Sequence, residues 1–119
     1  MNKTTKILTK LLNLLEERLK QTDFWQVAPP EAAAVQSVTP FCVDTMCLEQ
    51  WLRYVFLPRM RALIDAGNNL PTSCAITEQL EMVFTHHEKA RITEVTLAID
   101  QFLTEQKIPP ARLLKQAYL

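Results

Sequence analysis

The stretch from Thr39 to Gly67 constrains the fold most, because it is the densest run of apolar and aromatic residues in the chain. Read as a helix, it places apolar side chains at i, i+3, i+4 and i+7 and spreads others onto its remaining sides. A narrow polar strip precedes Pro58 and consists of Glu49, Gln50 and Arg53. A helix that is apolar nearly all round is buried. We therefore predict a central helix over about residues 45–66, around which the other elements pack.

Pro58 and Arg59 each impose a condition on this central helix. Pro58 removes the backbone hydrogen bond to Tyr54, and its ring costs about 3 kcal/mol in a straight helix, which predicts a kink at 54–58. If the helical register continues through the kink, Arg59 projects from the middle of the apolar stripe. Because a guanidinium keeps its charge, it must then reach solvent or pair with a carboxylate. Asp44 and Glu81 are the predicted partners.

The composition predicts an all-α fold. Apolar residues make up 48% of the 119 residues and glycine occurs once, which favours long helices in a single domain over a turn-rich β architecture. The predicted architecture is an up-and-down four-helix bundle with a Pro-kinked central helix. Its long first loop, about residues 22–40, is expected to be pinned by Phe24 and Trp25. The predicted helices cover about residues 3–21, 45–66, 78–87 and 89–105, and a C-terminal tail covers 108–119.

The helix ends and the tail also have predicted roles. Asp44 is expected to cap the central helix and Gly67 to end it in a left-handed conformation. Leu113, Leu114 and Tyr118 give the tail an apolar side, which could cover Leu97 or meet another molecule, including a second copy of the chain.

Charge and cysteine content exclude several classes of protein. Thirteen basic and thirteen acidic residues give no net charge, so direct nucleic-acid binding and attraction to an anionic membrane are not expected. The three cysteines lack Cys-x-x-Cys spacing, which argues against disulfides and zinc and favours reduced thiols in the cytoplasm. No apolar run reaches the roughly 18 residues of a membrane span. The leucine run near the N-terminus is broken by Lys10 and Asn13, so no signal peptide is predicted.

The candidate site consists of Asp44, Arg59 and Glu81 with Trp51 and Trp25. A guanidinium fork and an aromatic face could grip a ligand or a partner. The same set could instead be a buried ion pair that fixes helix register, with Trp51 as a core residue, and this interpretation is favoured.

Other reactive side chains suggest no chemistry. His86 and His87 point about 100° apart on a helix, which favours a solvated helix end over a metal site. Cys42 and Cys47 lack a group that would activate a thiol. We therefore predict no catalytic residue, no metal and no cofactor.

A set of short motifs resembles a known family. They are Phe41-x-x-Asp44-Thr45-Met46, Trp51-Leu52, Leu57-Pro58-Arg59-Met60, Leu70-Pro71 and Glu81. Together they resemble the YqcC-like family of small bacterial proteins, domain of unknown function 446. The resemblance implies an all-helical protein and carries no assigned activity. Members of that family are often encoded beside a tRNA pseudouridine synthase, which implies an accessory role in tRNA modification.

Two functions follow from these patterns. The leading hypothesis is a non-enzymatic interaction or accessory module that presents a preformed surface to another protein, with a tRNA pseudouridine synthase as the first candidate partner. The alternative is a small-ligand-binding bundle, whose pocket would be lined by Trp51, Tyr54, Arg59 and Trp25.

Overall fold

The computed structural model describes residues 2–67, 69–84 and 88–117, and every regular element within these ranges is helical. The all-α class predicted from the sequence is therefore confirmed for the described residues. The main helical elements are α1 (Lys3–Lys20), α2 (Leu48–Trp51), a π-helical turn (Leu52–Phe56), α3 (Leu57–Ala66), α4 (Ile76–Val83), α5 (Lys89–Glu105) and α6 (Ala111–Gln116). Short 3₁₀ turns at Asp23–Trp25, Ala32–Gln36 and Pro40–Cys42 lie between α1 and α2. The predicted up-and-down four-helix arrangement stays a prediction. None of the described helices is long and apolar enough to cross a membrane.

The core is built on α1 and α5, which pack against each other. Asn2 caps α1 by accepting a hydrogen bond from the Thr5 amide at 2.9 Å. One face of α1 is formed by buried leucines at helical spacing, and α4 packs on α5 beside it. The largest side chains that are almost fully excluded from solvent are Leu8, Leu11, Leu12, Leu15, Leu19, Leu52, Leu57, Ile76, Leu80, Ile92, Ile99 and Leu113.

The central helix, comprising α2, the π-helical turn and α3, begins three residues later than predicted. Its first residue is Leu48, and the Cys47 amide donates to Gln50 Oε1 at 3.0 Å. The predicted cap at Asp44 is wrong, because Phe41 and Cys42 adopt left-handed backbone angles and the chain makes a further turn before the helix starts. Asp44 instead accepts a 2.6 Å hydrogen bond from the Ser37 hydroxyl. At the other end, Gly67 has φ 70°, as predicted for a left-handed helix end.

The irregularity predicted around Pro58 takes the form of the π-helical turn. The Leu57 amide donates to the Leu52 carbonyl, which adds one residue to that turn just before the proline. One added residue rotates all later side chains by about 100° relative to an unbroken α-helix. Arg59 is consequently exposed and Met60 is buried.

The first loop is held against the bundle by its aromatic residues. The Phe24 ring stacks on Phe84 with centroids 4.4 Å apart, and the Arg53 guanidinium lies 4.1 Å from the centre of the Trp25 ring. Tyr54 adds a 2.9 Å hydrogen bond from its hydroxyl to the Val27 carbonyl. The pinning predicted from Phe24 and Trp25 is confirmed.

The C-terminal segment folds back onto the bundle as α6. Leu113 is 1% exposed and α6 packs on α1, so this part of the tail covers α1 and leaves Leu97 45% exposed. Arg18, on α1, donates to Gln116 Oε1 at 2.6 Å. Tyr118 lies outside the described residues, as do His86 and His87.

Candidate binding groove beside Trp51

A groove runs between the central helix and the connector before α4. We call it the Trp51 groove, and its volume is about 310 Å³. Val55, Met60 and Leu63 contribute aliphatic surface from the central helix, Leu103 contributes from α5, and residues 71–76 form the opposite side. A volume of about 300 Å³ lies at the lower end of the range for small-molecule pockets.

One side of the groove is an aromatic cluster. The Trp51 ring meets the Phe41 ring edge-on, with centroids 4.9 Å apart, and stacks on Phe56 at 5.3 Å. Phe41 has φ 59°, which is unfavourable for a bulky side chain and is maintained by the surrounding structure. The neighbouring π-helical turn supplies Val55 and Phe56. Left-handed bulky residues and π-helical turns both occur often at functional sites.

Arg59 supplies the charge of the groove. It is exposed, and none of the described residues that line the groove is acidic. The predicted pairing of Arg59 with Asp44 and Glu81 is wrong, because the π-helical turn rotates Arg59 out of the buried stripe. The interpretation as a buried ion pair is therefore wrong as well. An exposed guanidinium beside aromatic rings can bind a carboxylate or phosphate on a molecule with an apolar body.

The remaining predicted site residues lie elsewhere. Asp44 contacts Ser37 in the first loop, and that hydrogen bond lowers the pKa of the Asp44 carboxyl. Glu81 forms a 3.1 Å ion pair with Lys89. Trp25 packs against Arg53, and Tyr54 bonds the first loop, so neither lines the Trp51 groove. Of the predicted pocket, Trp51 and Arg59 line the Trp51 groove, whereas Trp25 and Tyr54 lie together on the Arg53 guanidinium.

Cys74 also lines the groove, and its environment suppresses its reactivity. Burial, followed by the hydrogen bond and charge of Asp100, raises the pKa of the Cys74 thiol far above its ordinary value. The thiol is therefore protonated at neutral pH and is a poor nucleophile. No group of three His, Cys, Asp or Glu side chains in the described part of the chain is arranged to hold a metal ion.

Sequence reasoning missed two polar residues that position the elements around the groove. Asp100 accepts hydrogen bonds from the amides of Ile76 and Thr77 at 3.0 and 2.9 Å, and so caps α4 from the side of α5. Arg18 is 5% exposed and donates to Glu94 at 2.6 Å. The available signal was periodicity: Arg18 follows Leu14 by four residues and Leu15 by three, and Asp100 precedes Leu103 by three.

Comparison with known proteins identifies the family. The model of the family described as tRNA pseudouridine synthase C, domain of unknown function 446, matches residues 7–102. The chain belongs to this family. The resemblance deduced from the motifs is thereby confirmed, and the last part of the chain, which includes α6, lies outside the match.

Three relatives show how the family members differ in length. An uncharacterized protein of Haemophilus influenzae is 44% identical over 70 residues, 59% of this chain and 66% of that protein. A protein of Pectobacterium carotovorum named tRNA pseudouridine synthase C is 52% identical over 59 residues, 50% of this chain and 16% of that protein. The uncharacterized protein YqcC of Escherichia coli is 34% identical over 83 residues, 68% of this chain and 76% of that protein. In the first two, the matched segment is less than two thirds of the protein. No solved structure matches this chain significantly.

Proposed function

We propose that this chain is a non-enzymatic accessory protein that binds a tRNA-modifying enzyme of the tRNA pseudouridine synthase C type. The observation that carries the proposal is the Pectobacterium relative of that name. A segment 52% identical to this chain forms only 16% of that protein, so most of the relative lies outside the match. Covalent joining gives two parts a high effective concentration for each other. A separate chain related to such a segment is therefore a natural binding partner for the enzyme.

The Trp51 groove is the surface that we assign to this interaction. Phe41, Trp51, Arg59, Met60 and Pro71 belong to the motifs that carry the family resemblance, and all five line the groove. Tryptophan and arginine are the residue types most enriched among those that dominate protein–protein binding energy. A preformed apolar groove with one exposed cation can accept an apolar anchor from the partner together with a carboxylate.

The test is a binding measurement between two purified proteins. The chain is titrated into a tRNA pseudouridine synthase C that has no matching segment of its own, by isothermal titration calorimetry, and the complex mass is measured by light scattering. A stoichiometric complex is expected. Arg59→Glu should weaken binding at least tenfold without unfolding the chain, since Arg59 is exposed.

Lys115→Glu is the matched control. It makes the same charge change at an exposed residue of α6, which does not line the groove, and should leave the affinity unchanged. Absence of a complex with the wild-type chain would reject the accessory role. Equal weakening by the two variants would reject the Trp51 groove as the surface and leave the accessory role standing.

The non-enzymatic part of the proposal rests on the engagement of polar side chains in structural contacts. Both Asp100 oxygens accept amide hydrogen bonds, and the Cys74 thiol is protonated because of its raised pKa. The free thiols of Cys42, Cys47 and Cys74 support placing the complex in the reducing cytoplasm. Incubation of the chain alone with a tRNA substrate should leave every target uridine unconverted. Pseudouridine formation by the chain alone would contradict the proposal.

A second candidate function is the binding of a small anionic ligand with an aromatic or apolar body. The observation that favours it is that exposed Arg59 and the Trp51 ring line the same groove of about 310 Å³. The probe is 1-anilinonaphthalene-8-sulfonate, an aromatic anion whose fluorescence rises in apolar surroundings. Arg59→Met should reduce its binding several-fold, whereas Lys115→Met should not. Equal probe binding by the wild type and Arg59→Met would remove this candidate.

A further inference from the structure

A second groove lies between α4 and α5. We call it the α4–α5 groove, and its volume is about 580 Å³. Met82, which is 78% exposed, lines it from α4, and Leu97, which is 45% exposed, lines it from α5. Both belong to the small set of large apolar side chains that are exposed in the described part of the chain. Because they line the same concave surface, Met82 and Leu97 give the groove apolar area that a partner could cover.

The charged residues that line this groove are all acidic. They are Glu78, Glu81, Asp100 and Glu105, and among the residues of the groove that the structure describes none is lysine, arginine or histidine. Asp100 uses both oxygens to cap α4, and Lys89 pairs with Glu81. Glu78 and Glu105 are exposed, so they leave negative charge at the groove after these contacts are made.

The apolar side chains and the carboxylates of the α4–α5 groove together favour one kind of binding partner. An apolar groove accepts one face of an amphipathic helix, and the flexible Met82 side chain can adapt to the shape of what enters. The surrounding carboxylates attract lysine and arginine and repel acidic segments. Nucleic acid is disfavoured by the same charges, because its phosphates are negative.

We propose that the α4–α5 groove binds a cationic amphipathic helix of a partner protein. The apolar side chains of that helix enter between Met82 and Leu97, and its lysine or arginine residues face Glu78 and Glu105. The proposal goes beyond the accessory role and does not depend on it, because the groove and the deciding residues differ from those assigned to the synthase.

The experiment uses the full chain and two synthetic 18-residue peptides labelled with fluorescein. One has leucine on one helical face and lysine on the other, and the second has glutamate in place of every lysine. Binding is measured by fluorescence anisotropy at several salt concentrations. The lysine peptide should bind at least tenfold more tightly than the glutamate peptide, and the difference should shrink as salt rises.

Variants locate the binding site on the chain. Leu97→Lys and Glu78→Lys should each weaken binding of the lysine peptide at least fivefold. Glu17→Lys and Glu31→Lys are the controls for Glu78→Lys. They make the same glutamate-to-lysine change at exposed residues that do not line the groove, and should leave binding within twofold. Circular dichroism melting of each variant checks that the fold is retained. Equal binding of the two peptides, or equal weakening by Glu17→Lys and Leu97→Lys, would overturn the proposal.

Discussion

Asp100 is a buried carboxylate that joins two helices. It lies on α5, is 7% exposed, and accepts hydrogen bonds from the first amides of α4. Those amides have no partner within their own helix, because the first four amides of any helix lack one. A side chain from a neighbouring helix thus provides the N-cap hydrogen bonds that usually come from the residue just before the helix.

Replacing Asp100 tests the energetic value of this cap. Asp100→Ala leaves the Ile76 amide buried without a partner and should lower the free energy of unfolding by about 1–3 kcal/mol. Asp100→Asn keeps one acceptor oxygen and should cost less. Urea denaturation measures both. Asp65→Ala, at an exposed position of α3, serves as the control and should change stability by less than about 0.5 kcal/mol.

Glu94 links three helices through two arginines. It accepts a 2.6 Å hydrogen bond from Arg18 on α1 and a 2.9 Å hydrogen bond from Arg112 on α6. The hydrogen bond from Arg18 lowers the pKa of the Glu94 carboxyl, and the hydrogen bond from Arg112 lowers it further. Burial raises this pKa, but by less than the Arg18 hydrogen bond lowers it. Because the pKa is lower in the folded chain than in the unfolded chain, ionised Glu94 stabilises the fold.

This linkage predicts a pH-dependent effect of Glu94→Gln. The stabilisation is complete above the unfolded carboxyl pKa of about 4.3 and is lost as the pH falls through the lower folded value. Glu94→Gln should therefore melt at a lower temperature than the wild type at pH 7, and the two melting temperatures should converge as the pH falls through the lowered folded pKa of Glu94. Thermal melts from pH 2 to pH 7 measure the difference. Glu17→Gln on exposed α1 surface provides the comparison, and a difference for Glu94→Gln that persists at pH 2 would contradict the assignment.

At the scale of an element, the π-helical turn decides which side of the central helix faces the core. Before the turn, Leu48 and Leu52 are buried at α-helical spacing. After it, Met60 is buried but Arg59 is exposed, although Arg59 would lie on the buried face of an unbroken α-helix, seven residues after Leu52. The added residue also leaves room for the ring of Pro58, since the backbone there no longer needs the ordinary α-helical bond.

A matched pair of variants tests this register. Arg59→Met should change the free energy of unfolding by less than about 0.5 kcal/mol, because the side chain is exposed. Met60→Arg places a charge at a buried position and should cost more than about 3 kcal/mol. An unbroken α-helix would bury both residues, because Met60 follows Phe56 by four residues and Arg59 follows Val55 by four, and it predicts that Arg59→Met raises the free energy of unfolding by more than about 1 kcal/mol. Urea denaturation of the two variants beside the wild type therefore distinguishes the two registers.

At the scale of the whole molecule, α6 completes the packing around α1. Leu113 is buried, Gln116 bonds Arg18, and Arg112 bonds Glu94, so α6 is attached by apolar and polar contacts together. The family match ends at residue 102, and α6 therefore adds to the part of the fold that the match covers.

Removal of residues 111–119 tests whether the tail is a structural element or a dimer contact. Deletion should lower the free energy of unfolding by several kcal/mol, since it uncovers apolar surface on α1 and removes buried Leu113. Light scattering of the intact and shortened chains measures the mass. If the shortened chain is as stable as the intact one but its particle in solution has half the mass, the tail instead mediates homodimerisation.

Local sequence patterns predicted the helices better than they predicted the contacts of the site. The helix at Lys89–Glu105 and the pinning by Phe24 and Trp25 follow from local patterns, and the structure contains both. The convergence of Trp51 and Arg59 on one groove was also expected, although Arg59 reaches it as an exposed residue. The predicted pairing of Arg59 with Asp44 and Glu81 is wrong, because one added residue in the π-helical turn changes the direction of every later side chain of the central helix.

The sequence by itself determined the helical class, the family, the apolar faces of α1 and α5, and the end of the central helix at Gly67. Each depends on residues close together in the chain, where periodicity and backbone preference act directly. Tertiary structure alone decided the cap from Asp100, the burial of Arg18, and the two grooves of different charge. Those features require contacts between segments far apart in the chain, whose relative positions are set by packing of the whole core.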